Sequence, residues 1–173
     1  MKKFNLLFTL GLSLSLTVVL AHKPFFPQGE GPFSIATPTV SQAHYLQFDV
    51  GKAHVFKVPI LERRVPVQVL VLDDELGRSL DIDAYWHCGE TRTKLTNLDQ
   101  PFYEGFSKLE HRYRVVDTIG PTTEPCEVHI YERSRQLAPY TFSIGVEEKF
   151  SLGDVIGLFS LGEKLKAWQR VAD

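Results

Sequence analysis

Six short segments of this chain alternate apolar and polar residues with a period of two, and a seventh, 65–73, is apolar on both faces, which is typical of a central strand that is buried on both sides. In the first of them, Leu46 and Phe48 fall on one face, while Tyr45 and Gln47 fall on the other. This period is the pattern of a β-strand with one buried face, because successive side chains of a strand point to opposite sides. We therefore predict strands at 42–50, 54–58, 65–73, 82–88, 111–117, 126–131 and 140–146.

Turn-forming residues separate these segments, for example at Asp73-Asp74, Gly89 and Gly120-Pro121. Many short strands with turns between them are typical of β-sandwiches and barrels, and the chain lacks the strand–helix alternation of a parallel α/β sheet. The expected fold class is all-β, an antiparallel β-sandwich of the jelly-roll type. Residues 90–108 show no clear alternation, so we expect them to form a long loop.

The expected sandwich domain, residues 42–150, is flanked by two segments of different character. Residues 22–41 are rich in proline, which fixes φ and removes a hydrogen-bond donor, so we expect an extended, irregular N-terminal arm. Residues 151–173 predict a C-terminal amphipathic helix that packs on the sandwich or, alternatively, docks on a partner or a membrane surface. Its apolar stripe consists of Leu158, Leu161, Leu165 and Trp168.

Residues 1–21 have the three-part pattern of a secretory signal peptide. Lys2 and Lys3 precede a long apolar run, and the small residue Ala21 ends it. We therefore predict cleavage after Ala21 and export to the periplasm or the cell exterior. The alternative is a membrane anchor that is retained, because the apolar run is about the minimum length that spans a bilayer.

The chain has two cysteines, Cys88 and Cys126. In an oxidising compartment a pair of cysteines usually forms one disulfide bond. Such a bond would close a loop of roughly 37 residues and add about 3–4 kcal/mol to stability by constraining the unfolded chain. The alternative is a pair of buried free thiols. The chain has no CxxC motif, so the sequence does not suggest a thiol-exchange enzyme.

Motifs that carry a known catalytic chemistry are absent from the sequence. It has no GxSxG, HExxH, P-loop, GxGxxG or EF-hand spacing. A hydrolytic enzyme is the third-ranked hypothesis, because paired carboxylates can hydrolyse glycosides. The candidate pairs are Glu104 with Glu110 or with Asp99.

His22 becomes the first residue of the mature chain if cleavage follows Ala21. A free α-amine and the imidazole of the same residue can chelate Cu²⁺, which prefers nitrogen ligands in a tetragonal arrangement. His87 and His129 are the preferred further ligands, because each lies off the apolar face and near a cysteine, but the other histidines remain open. A periplasmic copper-binding protein that uses His22 is therefore the alternative function.

An aromatic cluster with a carboxylate lies within the expected long loop. Its members are Phe102, Tyr103, Glu104 and Phe106, and Tyr85 lies off the core face, where it could extend the same surface. Aromatic rings beside a carboxylate can stack on a sugar and form hydrogen bonds to it. The alternative is that Phe102 and Phe106 anchor the loop in the core.

Residues 21–24, 39–45, 101–107 and 140–154 together resemble segments of a family of uncharacterised exported proteins from bacteria and algae. Their central part is similar to the pre-peptidase C-terminal and DOMON-like β-sandwich domains. Related sandwiches bind sugars, haem or surfaces, so the resemblance implies binding more than catalysis. Haem ligation by a Met–His pair is not expected, because Met1 is the only methionine.

The leading hypothesis is an exported, non-catalytic binding or accessory module with no required cofactor. Its partner would be an envelope or extracellular protein or a carbohydrate. Nucleic acid is not expected, because the formal net charge is −2 and the chain has no Lys/Arg cluster. Membrane association would be possible only through residues 151–173.

Overall fold

The computed structural model describes residues 22–104, 109–149 and 160–170. The predicted signal peptide (1–21), Phe106 and residues 151–159 and 171–173 of the predicted C-terminal helix lie outside the described residues. None of the helices in the described ranges combines the length and the apolar character that crossing a bilayer requires.

Strands dominate the described ranges, and all seven predicted strands are present. The elements are β1 (Lys23–Phe25), β2 (Phe33–Ser34), β3 (Gln42–Gln47), β4 (Ala53–Val58), β5 (Val65–Leu72), α1 (Glu75–Ser79), β6 (Ile82–Cys88), β7 (Thr91–Lys94), β8 (Asn97–Glu104), β9 (Leu109–Ile119), β10 (Cys126–Glu132), β11 (Pro139–Ile144) and α2 (Leu161–Gln169). The expectation of a β-rich chain with a C-terminal helical segment is confirmed.

The strands form two mixed sheets. The six-stranded sheet has the order β1-β3-β11-β5-β9-β8, and the five-stranded sheet has the order β2-β4-β10-β6-β7. Within the described residues, β1 pairs with β3 and β2 pairs with β4 in parallel, whereas the other strand pairs are antiparallel. The sheets are therefore mixed. The sequence had led us to expect antiparallel pairing throughout, so this part of the prediction was wrong.

Both parallel pairs come from the N-terminal arm. The arm adds β1 to the edge of one sheet and β2 to the edge of the other, and the amide N–H of Ile35 continues the second pairing with a 2.9 Å bond to the carbonyl of Lys57. Pro24 lies within β1 and Pro32 precedes β2, and both strands are at sheet edges, where a proline without an N–H group can be accommodated. The arm is therefore part of both sheets, which its proline content did not reveal.

Residues 90–108 do not form the expected long loop over their described part. They hold β7, which pairs with β6, and β8, which pairs with β9. Every residue of β7 is exposed and most of β8 is exposed, so neither strand has a buried face to produce an apolar alternation. The prediction was wrong because the alternation test detects strands with one face in the core and not edge strands of this kind.

The main core is made by side chains from both sheets. Val67, Val69 and Val71 of β5 belong to the same buried cluster as Val128 and Ile130 of β10. The alternate residues of these strands point away from that cluster, as the period of two predicts. Fully burying one such side chain contributes roughly 1.5–3 kcal/mol to folding.

The six-stranded sheet has a second covered side, which we call the outer face. Ala43 and Tyr45 of β3 point to this face and form a second cluster with Leu161, Leu165 and Trp168 of α2. The predicted apolar stripe of the helix therefore packs on the sheet, as expected, over its described part. Leu158 lies outside the described residues.

The disulfide bond between Cys88 and Cys126 is present, as predicted. It joins the end of β6 to the start of β10, two strands that pair with Glu127 opposite His87. The bond thus closes one end of this strand pair in the five-stranded sheet.

Candidate functional site

A cleft of about 680 Å³ opens beside α2 on the outer face. One wall is the arm segment 26–30, and the other wall is α2, through Lys164, Ala167 and Trp168. Tyr45, Leu46, Gln47, Asp49 and His54 complete the lining. The cleft therefore depends on three segments that are far apart in sequence.

Aromatic rings form the apolar part of the cleft. The ring of Phe26 stacks on Tyr45 with centroids 5.0 Å apart, and Tyr45 meets the indole of Trp168 edge to face at 5.1 Å. The ammonium group of Lys164 lies 5.9 Å from the Phe26 ring centroid. Such geometries are favourable for aromatic pairs and for a cation over a ring, so the lining is held in a defined shape.

Polar groups lie at the other side of the cleft. The amide of Gln47 donates a 3.3 Å hydrogen bond to the carbonyl oxygen of Trp168. His54 lies 4.0 Å from the Asp49 carboxylate and 2.6 Å from the hydroxyl of Tyr140. Burial lowers the pKa of His54, although the carboxylates of Asp49 and Glu30 act in the opposite direction. The cleft thus offers both apolar and polar contacts to a ligand.

A second group of polar side chains, buried or half-buried, lies further across the same face. We call it the polar cluster, and it comprises His22, Gln68, Glu104, His111, Thr141 and Ser143. Register explains how it forms: Ser143 lies opposite Gln68 on β5, and Phe102, two residues before Glu104, lies opposite His111. These side chains surround a cavity of about 10 Å³, which is the size of a single water molecule or ion.

The histidines of the polar cluster have contrasting surroundings. The Nδ1 atom of His22 lies 2.6 Å from the Ser41 hydroxyl. His111 is 2% exposed, and neither of its ring nitrogens forms a hydrogen bond. Its Nε2 atom lies 3.4 Å from Oε2 of Glu104, and its ring stacks under the indole of Trp168 at 6.4 Å.

Electrostatics follow from this burial. Burial lowers the pKa of His22, although the carboxylates of Glu104 and Glu148 favour its protonated form. Burial also raises the pKa of the Tyr45 hydroxyl, and the negative charge of Glu104 adds to this effect. Burial and the charge of Glu104 raise the pKa of Tyr113 as well, so Glu104 acts electrostatically on His22, Tyr45 and Tyr113.

The predicted ligand-binding residues do not share one surface. Phe102 is half-buried and its ring lies 5.0 Å from that of Tyr113, whereas Tyr103 points to the opposite side of β8 and is 59% exposed. Glu104 belongs to the polar cluster, and Tyr85 lies in the five-stranded sheet. Phe106 lies outside the described residues.

The predicted metal ligands are also separated. His87 and His129 stack at 4.1 Å on the five-stranded sheet, where His129 Nε2 lies 2.7 Å from the Glu127 carboxylate. His22 instead lies beside the six-stranded sheet. Across the three described ranges, no group of three or more His, Cys, Asp or Glu side chains could hold a metal ion as the side chains stand.

The carboxylate pairs considered for hydrolysis are not arranged as pairs. Glu110 lies opposite Tyr103 in the sheet, so it points to the opposite side from Glu104. Asp99 is bound by Arg112 at 2.8 Å. Nothing in the geometry of these residues places two carboxylates around a shared substrate position.

Sequence reasoning missed several residues that shape the cleft. Phe26 is in the proline-rich arm, and Tyr45 and Gln47 were assigned only to the polar side of a strand. The one available signal was Tyr45: a large aromatic side chain on the face opposite the core is expected to be buried by another element.

In comparisons with known proteins, no family model, no curated protein and no solved structure matches the chain.

Proposed function

We propose that this chain is an exported, non-catalytic binding module that holds a carbohydrate in the cleft beside α2. The observation that carries the proposal is the cleft of about 680 Å³, which falls in the range of roughly 300–1,000 Å³ for small-molecule sites. Export is supported by the signal-peptide pattern of residues 1–21, with cleavage after Ala21 and delivery to the periplasm or the cell exterior.

A carbohydrate matches the chemistry of the lining. Sugar rings have apolar faces that pack on aromatic side chains, and the cleft presents the half-buried ring of Phe26, which the buried rings of Tyr45 and Trp168 support from behind. Sugar hydroxyls donate and accept hydrogen bonds, for which Asp49 and Gln47 supply oxygen atoms and Lys164 supplies a cation. A protein partner would need a wider apolar surface than this concave site.

The fold proposal is that the two mixed sheets are the layers of a jelly-roll-like β-sandwich. It is supported by the main core, in which side chains of β5 from one sheet and β10 from the other belong to the same buried cluster. A relationship to pre-peptidase C-terminal and DOMON-like domains remains part of this proposal, and its support is the sequence segments that resemble those domains.

The test is calorimetric titration of the mature chain with a panel of neutral and charged oligosaccharides. Ala167 is exposed on α2 and lines the cleft, so A167W would fill the cleft with a bulky ring and should abolish binding. The matched control is K166W, which puts the same ring on the exposed residue just before Ala167 in α2, outside the cleft lining.

Two results would reject the proposal. One is that no member of the panel binds. The other is that a bound sugar has the same affinity for A167W as for K166W, which would place the binding site elsewhere. Turnover of a bound sugar would show that the protein is an enzyme and would reject the non-catalytic part of the proposal.

A further inference from the structure

The five-stranded sheet carries four aromatic side chains on the side away from the main core. Tyr85 and His87 of β6 point to this side, because the residue between them packs against the core. His129 and Tyr131 of β10 point the same way, since His129 lies opposite Tyr85. The two histidine rings stack with centroids 4.1 Å apart, and the two tyrosine rings meet edge to face at 5.8 Å. All four side chains are half-buried, and we call this side of the sheet the aromatic face.

An exposed arginine lies over these rings. The guanidinium carbon of Arg92 on β7 is 3.8 Å from the ring centroid of Tyr85 and 5.9 Å from that of Tyr131. Among the described residues, the Arg92 side chain forms no ion pair and no hydrogen bond, whereas the nearby carboxylate of Asp83 is held by Lys94 at 2.5 Å. The ring thus holds the guanidinium group in place while its N–H groups stay available, and their planar fork matches a carboxylate.

Strand register places a second cation in line with Arg92. Glu127 lies opposite Lys57 on one side and opposite His87 on the other, and His87 lies opposite Arg92. Lys57 is exposed and, within the described ranges, also forms no ion pair. The two cations are three strand spacings apart, which is roughly 14 Å. The row is therefore positive at both ends, and between them it carries Glu127, whose carboxylate lies 2.7 Å from His129.

We propose that the aromatic face docks an acidic segment of a partner protein, with one carboxylate on Arg92 and a second on Lys57. Tyrosine and arginine are the residues that most often dominate the binding energy of protein interfaces, and this face presents both together. Acidic residues four positions apart in an extended segment point to one side and are separated by about 14 Å, which matches the two cations. A segment charged at those positions alone also avoids Glu127.

The electrostatics of the aromatic face agree with an anionic partner. Burial lowers the pKa of His87, and the neighbouring His129 and Arg92 lower it further, whereas Glu127 acts in the opposite direction. The positive charge of Arg92 therefore acts on the ring beside it, and a carboxylate bound to Arg92 would offset that charge. The formal net charge of the chain is −2, so the positive ends of this row are a local feature. This face belongs to the other sheet from the cleft, and the inference does not depend on a carbohydrate ligand.

The experiment is a nuclear magnetic resonance titration of the mature chain, because this method also follows weak binding. The probe is the end-blocked peptide Glu-Gly-Ser-Gly-Glu, and the control peptide Gly-Glu-Ser-Glu-Gly has the same composition. Its closer carboxylates reach one cation only, so it should bind about tenfold more weakly, the factor for losing one charge-assisted contact. R92Q and K57Q should each weaken binding of the first peptide by about the same factor. The matched control is R64Q, which removes an exposed arginine just before β5 of the other sheet and should leave affinity unchanged.

Arg92 and Lys57 are exposed, so their variants should fold normally. The proposal is overturned if neither peptide shifts the signals of the aromatic face, if the two peptides bind equally, or if R64Q weakens binding as much as R92Q. Tighter binding of an oligogalacturonate at this face would assign it to an acidic polysaccharide and would also overturn the proposal. A167W alters the cleft and should bind the first peptide normally, so failure of the carbohydrate proposal can be distinguished from failure of this one.

Discussion

The indole N–H of Trp168 donates a 2.6 Å hydrogen bond to the carbonyl oxygen of Leu46, 122 residues earlier in the chain. β1 pairs with β3 only as far as His44, so this bond supplies a donor to the β3 edge just beyond that pairing. Gln47 returns a bond to the backbone carbonyl of Trp168. The two bonds fix α2 at the position where it forms one wall of the cleft.

Removing the indole donor should destabilise the protein less than removing the whole ring. W168F leaves the buried Leu46 carbonyl without this partner and should lower the free energy of unfolding by about 1–2 kcal/mol. W168A also leaves a cavity against Tyr45 and His111 and should lower it by about 3 kcal/mol or more. Urea unfolding measures both, with K166A on the exposed side of α2 as the control. Equal losses in the two Trp168 variants would contradict this account.

Reduction of the disulfide bond should cost stability through the unfolded chain. Cys88 and Cys126 are 38 residues apart, and closing a loop of that length corresponds to about 4 kcal/mol in the chain-entropy treatment. The C88A/C126A double variant should therefore unfold at a lower urea concentration. The dependence of its unfolding free energy on urea should be steeper, because the unfolded chain without the bond exposes more surface. An unchanged unfolding midpoint would contradict this account, because it would show that the disulfide bond adds no stability to the paired strands.

The strands with one face in the core were predictable, and the edges were not. β3, β4, β6, β9, β10 and β11 were found from alternation and β5 from being apolar on both faces, because each places one set of side chains in the main core. β7 and β8 bury too little, and β1 and β2 are too short and too rich in neighbouring prolines to show any period. An edge strand forms because it pairs with a particular neighbouring strand, and the local hydrophobic pattern does not identify that neighbour.

The candidate site was less predictable than the fold for a related reason. Cys88 and Cys126 could be paired because the chain offers one combination, whereas six histidines offer many. His111 meets Glu104 through the pairing of β8 with β9, and β8 was expected to be loop. A site assembled across edge strands and a terminal helix depends on long-range register, which the sequence does not display locally.

Stability should fall in mildly acidic solution because of His44. Burial lowers the pKa of this side chain to about 4, and its ring stacks on Phe25 at 4.9 Å. The unfolded chain, with a histidine pKa of about 6.5, binds a proton first, so this contribution to stability is complete above pH 6.5 and is lost as pH falls towards 4. The loss from His44 should reach about 3 kcal/mol.

The H44F variant provides the measurement. It keeps an aromatic ring against Phe25 and removes the titrating group, so the difference in unfolding midpoint between pH 7.5 and pH 4.5 should shrink. Some pH dependence should persist, because burial also lowers the pKa of His22 and of His54. Carboxylates titrate in both proteins and cancel in the comparison. A nuclear magnetic resonance titration that places the His44 midpoint near 6.5 would refute the assignment.

Gly145 should tolerate a side chain much less well than Gly29, although both have a positive φ. The angles are +88° and +86°, so alanine meets the same left-handed backbone penalty, roughly 1–2 kcal/mol, at each position. A Cβ on Gly145 would also collide with the carbonyl oxygen of Val40 and lie 2.8 Å from that of Pro38, whereas a Cβ on Gly29 meets nothing within 4 Å. The arm and the end of β11 would have to separate to make room for it.

Thermal and urea unfolding of G145A and G29A therefore isolate the close approach from the backbone conformation. G29A should lose about 1–2 kcal/mol, and G145A should lose at least about twice as much, because the parallel bridge between Val40 and Glu147 lies at the same point. A larger loss in G145A than in G29A would show that this contact ties the arm to β11, and the cleft wall formed by residues 26–30 depends on how the arm is held. Equal losses would mean that the arm moves aside without cost.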